Sequence, residues 1–434
     1  MASHPTSRPV SRSAQYGHWR TAAFSSSWLL YAGYYLCREN LRTVRTLPGA
    51  PPAQDNLTGL LFNFALAYVL GHIVSGTLSD RGGARKVALT GGLISAAVTA
   101  AMLFIHAPHA LLALQLLNGF AQGLGFPALC RMLAVWFHRT ERPSVLAWWS
   151  ASYSLGGVLA ASLTLWFATT QLIMPSWGWQ RCFIFPPILL AAISIYFFLT
   201  TREEPENVGL SPVAVESEED ERFAAGLWSG WWAVLSNSHI RTVAAMYFFL
   251  KMTRYALLFW LPLYLVQATH ISSNRAASTA SLFEFFGFAG ALLAVHLSAR
   301  YFSSRRYPVA AIMLFALGFL ALVQPLVATL GWWVSAICIA AMGLLVYAVD
   351  ALMVSVAVLE SVPLACSARA IAAVNGAGSV GQMLSPLLVT WFARHYGWDN
   401  LFNLFLITSL IAAAIVAPRW NDDSPAFAPV PAAS

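Results

Sequence analysis

Long runs of apolar residues follow one another along almost the whole chain and are separated by short polar stretches. A helix needs about 20 mostly apolar residues to cross a bilayer. Twelve runs reach or approach that length, so the pattern predicts twelve transmembrane helices and an all-α fold. The predicted segments are 20–44, 57–79, 87–107, 109–136, 144–172, 179–200, 236–267, 276–299, 308–328, 331–357, 364–393 and 399–418.

A long polar connection divides the twelve segments into two groups of six. It contains an acidic run from Glu216 to Glu221, and such a charge run is typical of a solvated linker. We therefore expect two six-helix halves joined by this linker and followed by a disordered tail. The predicted units are an N-terminal half at 1–200, a linker at 201–230, a C-terminal half at 231–420 and a tail at 421–434.

Composition supports a membrane protein. The chain has 434 residues, of which 58% are hydrophobic and only 10% are charged, whereas soluble proteins carry about 25% charged residues. A lipid bilayer is therefore the expected surrounding. The net charge of +7 is better explained by positively charged cytoplasmic loops than by a nucleic-acid partner, which we do not expect.

Basic residues in the loops predict the orientation of the segments. Most of them fall on one side if the segments alternate, so we expect both termini in the cytoplasm of a cell whose inner membrane holds the protein. Arg42 and Arg45 fall on the opposite side. The basic residues on the predicted cytoplasmic side are Arg8, Arg12 and Arg20 in the N-terminal tail, Arg81, Arg85 and Lys86 after segment two, Arg139 and Arg142 after segment four, and Arg300, Arg305 and Arg306 after segment eight.

One arginine interrupts the first apolar segment of each half. Arg38 lies in the first segment and Arg254 in the seventh. A charged side chain at the bilayer centre costs about 2.5–3.5 kcal/mol on insertion scales, so such residues are usually functional or paired. Because a guanidinium presents a planar fork that matches phosphate or carboxylate oxygens, the pair predicts an anion site. The alternative is that each arginine pairs with a nearby carboxylate or reaches the interface.

The loop between segments two and three carries a motif. It runs from Gly76 to Lys86 and reads GTLSDRGGARK, which resembles the GxLxDRxGxRK signature of the major facilitator superfamily. The resemblance implies the major facilitator fold, two six-helix halves that alternate in access. Asp80 can pair with basic groups at a helix end and latch the halves together. The corresponding second-half stretch, 295–300, lacks the acid. The gating candidates are Asp80, Arg81, Arg85 and Arg131.

Several stretches resemble the organophosphate:phosphate antiporter family more closely. They are YAGYYLCR from Tyr31, GFAQGLGFP from Gly119, Arg254-Tyr255 and LFEF from Leu282. The resemblance implies that Arg38 and Arg254 clamp a phosphate group. Tyr31, Tyr35 and Arg38 share one helical face because they are four and three residues apart, and the resemblance places such tyrosines in the site.

The sequence also departs from the family pattern at several positions of the expected site. Glu39 stands where the family has a basic residue, His72 where it has a lysine, and Tyr153 where it has a histidine. Ser379 replaces a tyrosine, Tyr347 is a further candidate, and Asp350 has no family counterpart. Glu284 matches a family acid that we expect to balance an arginine in the empty site. Two hypotheses stay open for the carboxylates: they bind a cationic group of the substrate, or they only pair with the arginines and with each other.

The function implied is transport of a small phosphorylated or phosphonate anion, in exchange for inorganic phosphate. Two alternatives stay open: a membrane receptor that senses a phosphorylated sugar, and a proton-coupled transporter of another organic anion such as a carboxylate. The sequence has no phosphate-cradling GxxxxGK[ST] loop, metal cluster or catalytic constellation. We therefore expect a monomer that needs no metal or cofactor and is not an enzyme.

Overall fold

The structure is a computed structural model that describes residues 12–38, 40, 57–105, 107–213, 226–269 and 271–422. Within these ranges the chain is helical and forms no β-strand. Glu39, the acidic run from Glu216 to Glu221 and the tail from 423 onwards lie outside the described residues.

Seven α-helices of eight residues or more form the described part of the first half. Most of their residues are apolar or small, which suits helices that bury one side and expose the other to lipid. They are α1 (Arg12–Leu36), α2 (Leu57–Leu78), α3 (Ala84–Ala101), α4 (Pro108–Gly123), α5 (Gly125–Trp136), α6 (Arg142–Thr169) and α7 (Phe185–Thr200).

The second half adds eight helices of this kind within the described residues. The helix α13 continues through a π-helical stretch, Asp350–Ala357, into a last turn at Val358–Glu360. The eight are α8 (Leu227–Ser236), α9 (Ser238–Thr269), α10 (Ser273–Phe285), α11 (Gly287–Tyr301), α12 (Arg306–Thr329), α13 (Trp332–Val349), α14 (Ser367–Tyr396) and α15 (Leu401–Val416).

The predicted all-α fold is confirmed, and each of the twelve predicted segments coincides with helix. Segment four is the pair α4 and α5, and segment eight is the pair α10 and α11. In the described ranges, seven helical stretches are long and apolar enough to cross a membrane, or eight if the bent pair Pro175–Phe183 and Phe185–Thr200 is one span. Two of the seven, Gly59–Ala101 and Ser278–Tyr301, each include two of the helices named above. The other segments are interrupted or carry more polar residues. The helix α8 begins inside the predicted linker.

Close packing joins the two halves between α2 and α14. A Cβ atom placed on Gly76 of α2 would lie 2.8 Å from the Cβ of Ala372 on α14, so glycine is needed for the helices to approach this closely. Helix α6 of the first half also packs against α10 and α11 of the second. Large apolar side chains such as Phe315 and Leu326 remain exposed on the outer surface, which suits contact with lipid.

A buried ion pair holds three helices of the second half together. The guanidinium of Arg306, at the start of α12, donates from Nη2 to Oε1 of Glu360 over 2.8 Å and from Nε to Oε2 over 3.1 Å. Its Nη1 donates to Ser298 on α11 over 3.0 Å. These donors and acceptors all come from the second half, so the pair stabilises that half.

Replacing Glu360 with glutamine is expected to destabilise the protein by about 1–3 kcal/mol, because a charged acceptor of a buried bidentate pair becomes neutral. The melting temperature in detergent should fall by a few degrees. The double variant Arg306→Met/Glu360→Met, which removes both charges, should recover much of the loss. A single variant as stable as the unmodified protein would contradict the assignment.

Candidate substrate site

Arg38 forms one end of a polar cluster between the halves. It lies in the turn after α1, where Nε donates to Oε1 of Gln122 over 2.8 Å. Its Cζ is 4.5 Å from the ring centroid of Tyr35 and 5.4 Å from that of Tyr68. The Nη2 atom is buried and has no hydrogen-bond partner among the described residues. Arg38 is therefore a cation held by rings and one amide, with a donor left over.

Arg254 lies on α9 in the other half and is already paired. It is 6% exposed, and its Nη1 donates to Oδ2 of Asp350 over 2.9 Å. Asp350 begins the π-helical stretch after α13, and such stretches are frequent at functional sites. Of the two hypotheses about the carboxylates, this geometry favours pairing with an arginine. Asp350, which has no family counterpart, therefore changes the charge of the site in addition to the substituted family positions.

Tyrosine rings connect the two halves around Arg254. Its Cζ lies 4.1 Å from the ring centroid of Tyr347 and 5.3 Å from that of Tyr153. Tyr153, from α6, stacks on Tyr347, from α13, with 5.8 Å between centroids. Tyr31 packs against Tyr35 at 6.1 Å and against Tyr153 at 6.3 Å. The predicted tyrosines therefore form one continuous aromatic wall that crosses the interface.

The remaining two predicted site residues lie at the margins of this wall. His72 is fully buried, and its ring centroid is 4.3 Å from that of Tyr68. Glu284 is half-buried on α10, where its carboxylate faces Gly157 of α6: a Cβ placed on that glycine would be 3.2 Å from Oε1. Glu284 thus lies where helices of the two halves face each other, whereas the ring contact of His72 is with its own helix.

Sequence reasoning missed Lys251. It lies one turn before Arg254 on α9, is 3% exposed, and donates from Nζ to Oγ of Ser379 over 2.9 Å. Its Nζ is 5.4 Å from the ring centroid of Tyr68 in the first half. The available signal was that the chain has only two lysines and that a spacing of three puts this one on the face of Arg254.

The predicted latch lies at one end of the bundle, which we call the latch end and define by Asp80 and the N-terminus of α14. The carboxylate of Asp80 accepts backbone N–H bonds from Ala368 over 2.8 Å and from Arg369 over 3.0 Å. The positive end of the helix dipole favours this arrangement. Arg131 lies between them, donating to Asp80 over 3.3 Å and to the carbonyl of Leu364 over 2.7 Å.

The other two gating candidates have different surroundings. Arg85 donates to the carbonyl of Phe198 over 3.0 Å and stacks on that ring at 3.8 Å, so its contacts lie within the first half. The side chain of Arg81 is exposed. Of the four gating candidates, Asp80 and Arg131 make hydrogen bonds that cross between the halves within the described part of the chain.

Comparison with known proteins agrees with this architecture. The family model described as Major Facilitator Superfamily matches residues 28–358 and 243–433. The glycerol-3-phosphate transporter of Bacillus subtilis is 26% identical over 435 residues, with 94% of each chain covered. The membrane sensor protein UhpC of Salmonella typhimurium is 27% identical, with 95% of this chain and 94% of the relative covered.

A solved structure shows the same fold. The proton:xylose symporter XylE, bound to 6-bromo-6-deoxy-D-glucose, superimposes with a TM-score of 0.70 at 13% identity, covering 94% of this chain and 96% of that one. The predicted resemblance to the organophosphate:phosphate antiporter family is confirmed by the named relatives. The chain therefore belongs to the Major Facilitator Superfamily and is a multi-pass membrane protein.

Proposed function

We propose that the protein is a secondary transporter of a small phosphorylated or phosphonate anion and works by alternating access. The observation that carries the proposal is the placement of Arg38 from the first half and Arg254 from the second against one wall of tyrosines at the interface. An anion bound between them interacts with both halves at once. Its binding energy can then favour a closed, occluded state over an open one.

Phosphate chemistry fits this site well. A guanidinium binds two oxygens of a tetrahedral phosphate through parallel N–H bonds, which is the strong form of a charge-assisted hydrogen bond. The relatives named as carriers of glycerol 3-phosphate and hexose phosphate support the same class of substrate. Since one chain contributes both halves, a monomer is sufficient for transport.

We propose further that the latch end faces the cytoplasm of a cell whose inner membrane holds the protein. Arg81 and Lys86 lie at this end and Arg300 follows the equivalent segment of the second half, and such an excess of basic residues is typical of cytoplasmic loops. With Asp80 bonded to α14, the conformation described would be closed on the cytoplasmic side. Transport requires that this contact break and form again in each cycle.

A second candidate function is that of a membrane sensor for a phosphorylated sugar. The relative named as a membrane sensor supports it, since a receptor can retain the anion clamp without carrying flux.

The pair Arg254–Asp350 also bears on the mode of transport. Because it compensates one cation in the empty site, it lowers the cost of reorienting without substrate and leaves proton-coupled symport as an alternative to strict exchange.

Proteoliposomes loaded with unlabelled inorganic phosphate provide the test. We expect uptake of labelled phosphate by exchange, and we expect phosphate monoesters and phosphonates to inhibit it more strongly than carboxylates of equal size. Uptake that needs a proton gradient but no internal phosphate would favour symport. Ligand binding without flux would favour the sensor, and preferential inhibition by carboxylates would contradict the proposed substrate class.

A further inference from the structure

Lys251 is a buried cation whose charge is not compensated by an ion pair in the described part of the chain. An ammonium has three N–H donors, and the one partner found for Lys251 is the neutral hydroxyl of Ser379, 2.9 Å away. Burying a charge without a counter-charge is costly. The cost is offset if a ligand supplies the negative charge during function.

Lys251 and Arg38 approach each other across the interface. The Nζ of Lys251 and the Cζ of Arg38 each lie 5.4 Å from the ring centroid of Tyr68. The two charges are therefore separated by at most twice that distance. Arg38 contributes a buried Nη2 without a partner, so both cations have donors available to one small anion between them.

Arg254 differs from both of them because its charge is already matched. Its Nη1 donates to Asp350 over 2.9 Å inside a pair whose two side chains are 7% and 6% exposed. Of these three cations, Arg38 and Lys251 are thus the ones without a carboxylate partner among the described residues. When Lys251 is protonated, the two side chains together carry two positive charges, which match the two negative charges of a phosphate dianion.

The helix α14 is shaped to hold the lysine in this position. A Cβ placed on Gly378 would lie 2.9 Å from Cδ of Lys251 and 2.4 Å from Cδ1 of Tyr247, so any larger residue would displace the lysine stem. The next residue, Ser379, supplies the hydroxyl that holds Nζ. This is a built position for the ammonium group rather than a chance contact.

We propose that Lys251 is a substrate-binding residue that makes the site selective for dianionic tetrahedral groups. In this arrangement the phosphate or phosphonate group lies between Arg38 and Lys251 rather than directly between Arg38 and Arg254. The substrate as a whole still spans both halves, because the Arg254–Asp350 pair faces the rest of it. The proposal rests on the proposed function, since it presupposes a phosphate-bearing ligand. It assigns the discrimination between a dianion and a monoanion to the lysine.

Two esters of equal shape and different charge test this selectivity. At pH 8 glycerol 3-phosphate carries almost two charges, because the second pKa of a phosphate monoester is about 6, whereas glycerol 3-sulfate carries one. We expect the full-length protein in detergent, titrated by calorimetry, to bind the phosphate ester at least about tenfold more tightly. In Lys251→Met the affinity for the phosphate ester should fall by about that factor, while the affinity for the sulfate ester changes little.

Matched variants separate this role from a structural one. Lys86→Met removes the other lysine of the chain, which is exposed, and should leave both affinities unchanged. Lys251→Arg should preserve the preference for the phosphate ester, and Lys251→Gln, which can still bond Ser379, should lose it. Unchanged discrimination in Lys251→Met, or an equal loss of affinity for both esters, would overturn the role of Lys251 and leave the proposed function standing. If the unmodified protein bound neither glycerol 3-phosphate nor inorganic phosphate, the proposed function would fail and this inference with it.

Discussion

Replacing Arg38 with lysine is expected to abolish most phosphate exchange although the positive charge is kept. The guanidinium donates to Gln122 over 2.8 Å and has a buried Nη2 without a partner among the described residues. An ammonium cannot make both bonds with the same geometry. Losing two charge-assisted hydrogen bonds costs about 3–5 kcal/mol, which corresponds to a loss of about two to four orders of magnitude in kcat/KM.

Exchange of labelled phosphate in proteoliposomes measures this loss, and Arg394→Lys is the matched control. Arg394 is exposed near the end of α14, so its replacement should not change the rate. We expect Arg38→Lys to keep the melting temperature within a few degrees, since the rings of Tyr35 and Tyr68 still pack around the stem. If Arg38→Lys exchanged phosphate at the unmodified rate, bidentate binding by Arg38 would not be part of the mechanism.

Much of the fold was predictable because bilayer thickness imposes a strong length pattern on apolar segments. The interruptions were not predictable from that pattern. Segment four is broken at Leu124 between α4 and α5, and segment eight at Phe286 between α10 and α11, yet both read as continuous apolar runs. Hydropathy carries no information about such breaks. At segment four the local signal is Pro127, which has no N–H to donate to the carbonyl of Gly123 one turn earlier.

The site was predictable where a charge contradicted its apolar surroundings. Arg38 and Arg254 stand out for that reason, and the tyrosines follow from helical spacing. Lys251 was missed because only the fold shows that its Nζ faces Tyr68, a residue 183 positions earlier in the chain. The pairing of Asp350 with Arg254 was likewise one of several possibilities until the helices α9 and α13 were placed side by side.

The same helix connects the candidate site with the latch. Helix α14 begins at Ser367, next to the backbone N–H groups that bind Asp80, and carries Ser379 twelve residues later, about 18 Å along the helix axis. A helix of this length moves largely as one body. Lys251, on α9, is bonded to Ser379 of α14. An anion that draws Lys251 toward Arg38 therefore acts on α14, whose N-terminus forms the latch, and this provides a physical route for coupling between binding and gating.

Neutralising Asp80 is expected to open the latch end and slow transport. In Asp80→Asn the amide can still accept one backbone N–H bond, but its NH2 group cannot accept the second from Arg369, and Arg131 is left near a neutral group. Breaking such a buried charged contact costs about 3–5 kcal/mol, so the ratio of open to closed latch end should rise by about two to four orders of magnitude.

Cys366 is a native reporter of this opening because it lies just before α14 and is 3% exposed. In protein whose other four cysteines are replaced by alanine, modification of Cys366 by a bulky maleimide should follow the open population. We expect Asp80→Asn to accelerate modification by about the factor given above, whereas Glu206→Gln, which neutralises an exposed carboxylate, should not. Binding of an anion between Arg38 and Lys251 favours the state in which the halves are closed. Saturating phosphate should therefore slow the modification of Cys366 in Asp80→Asn and in the control. Equal rates in Asp80→Asn and the control would show that the contact with α14 does not hold the halves together.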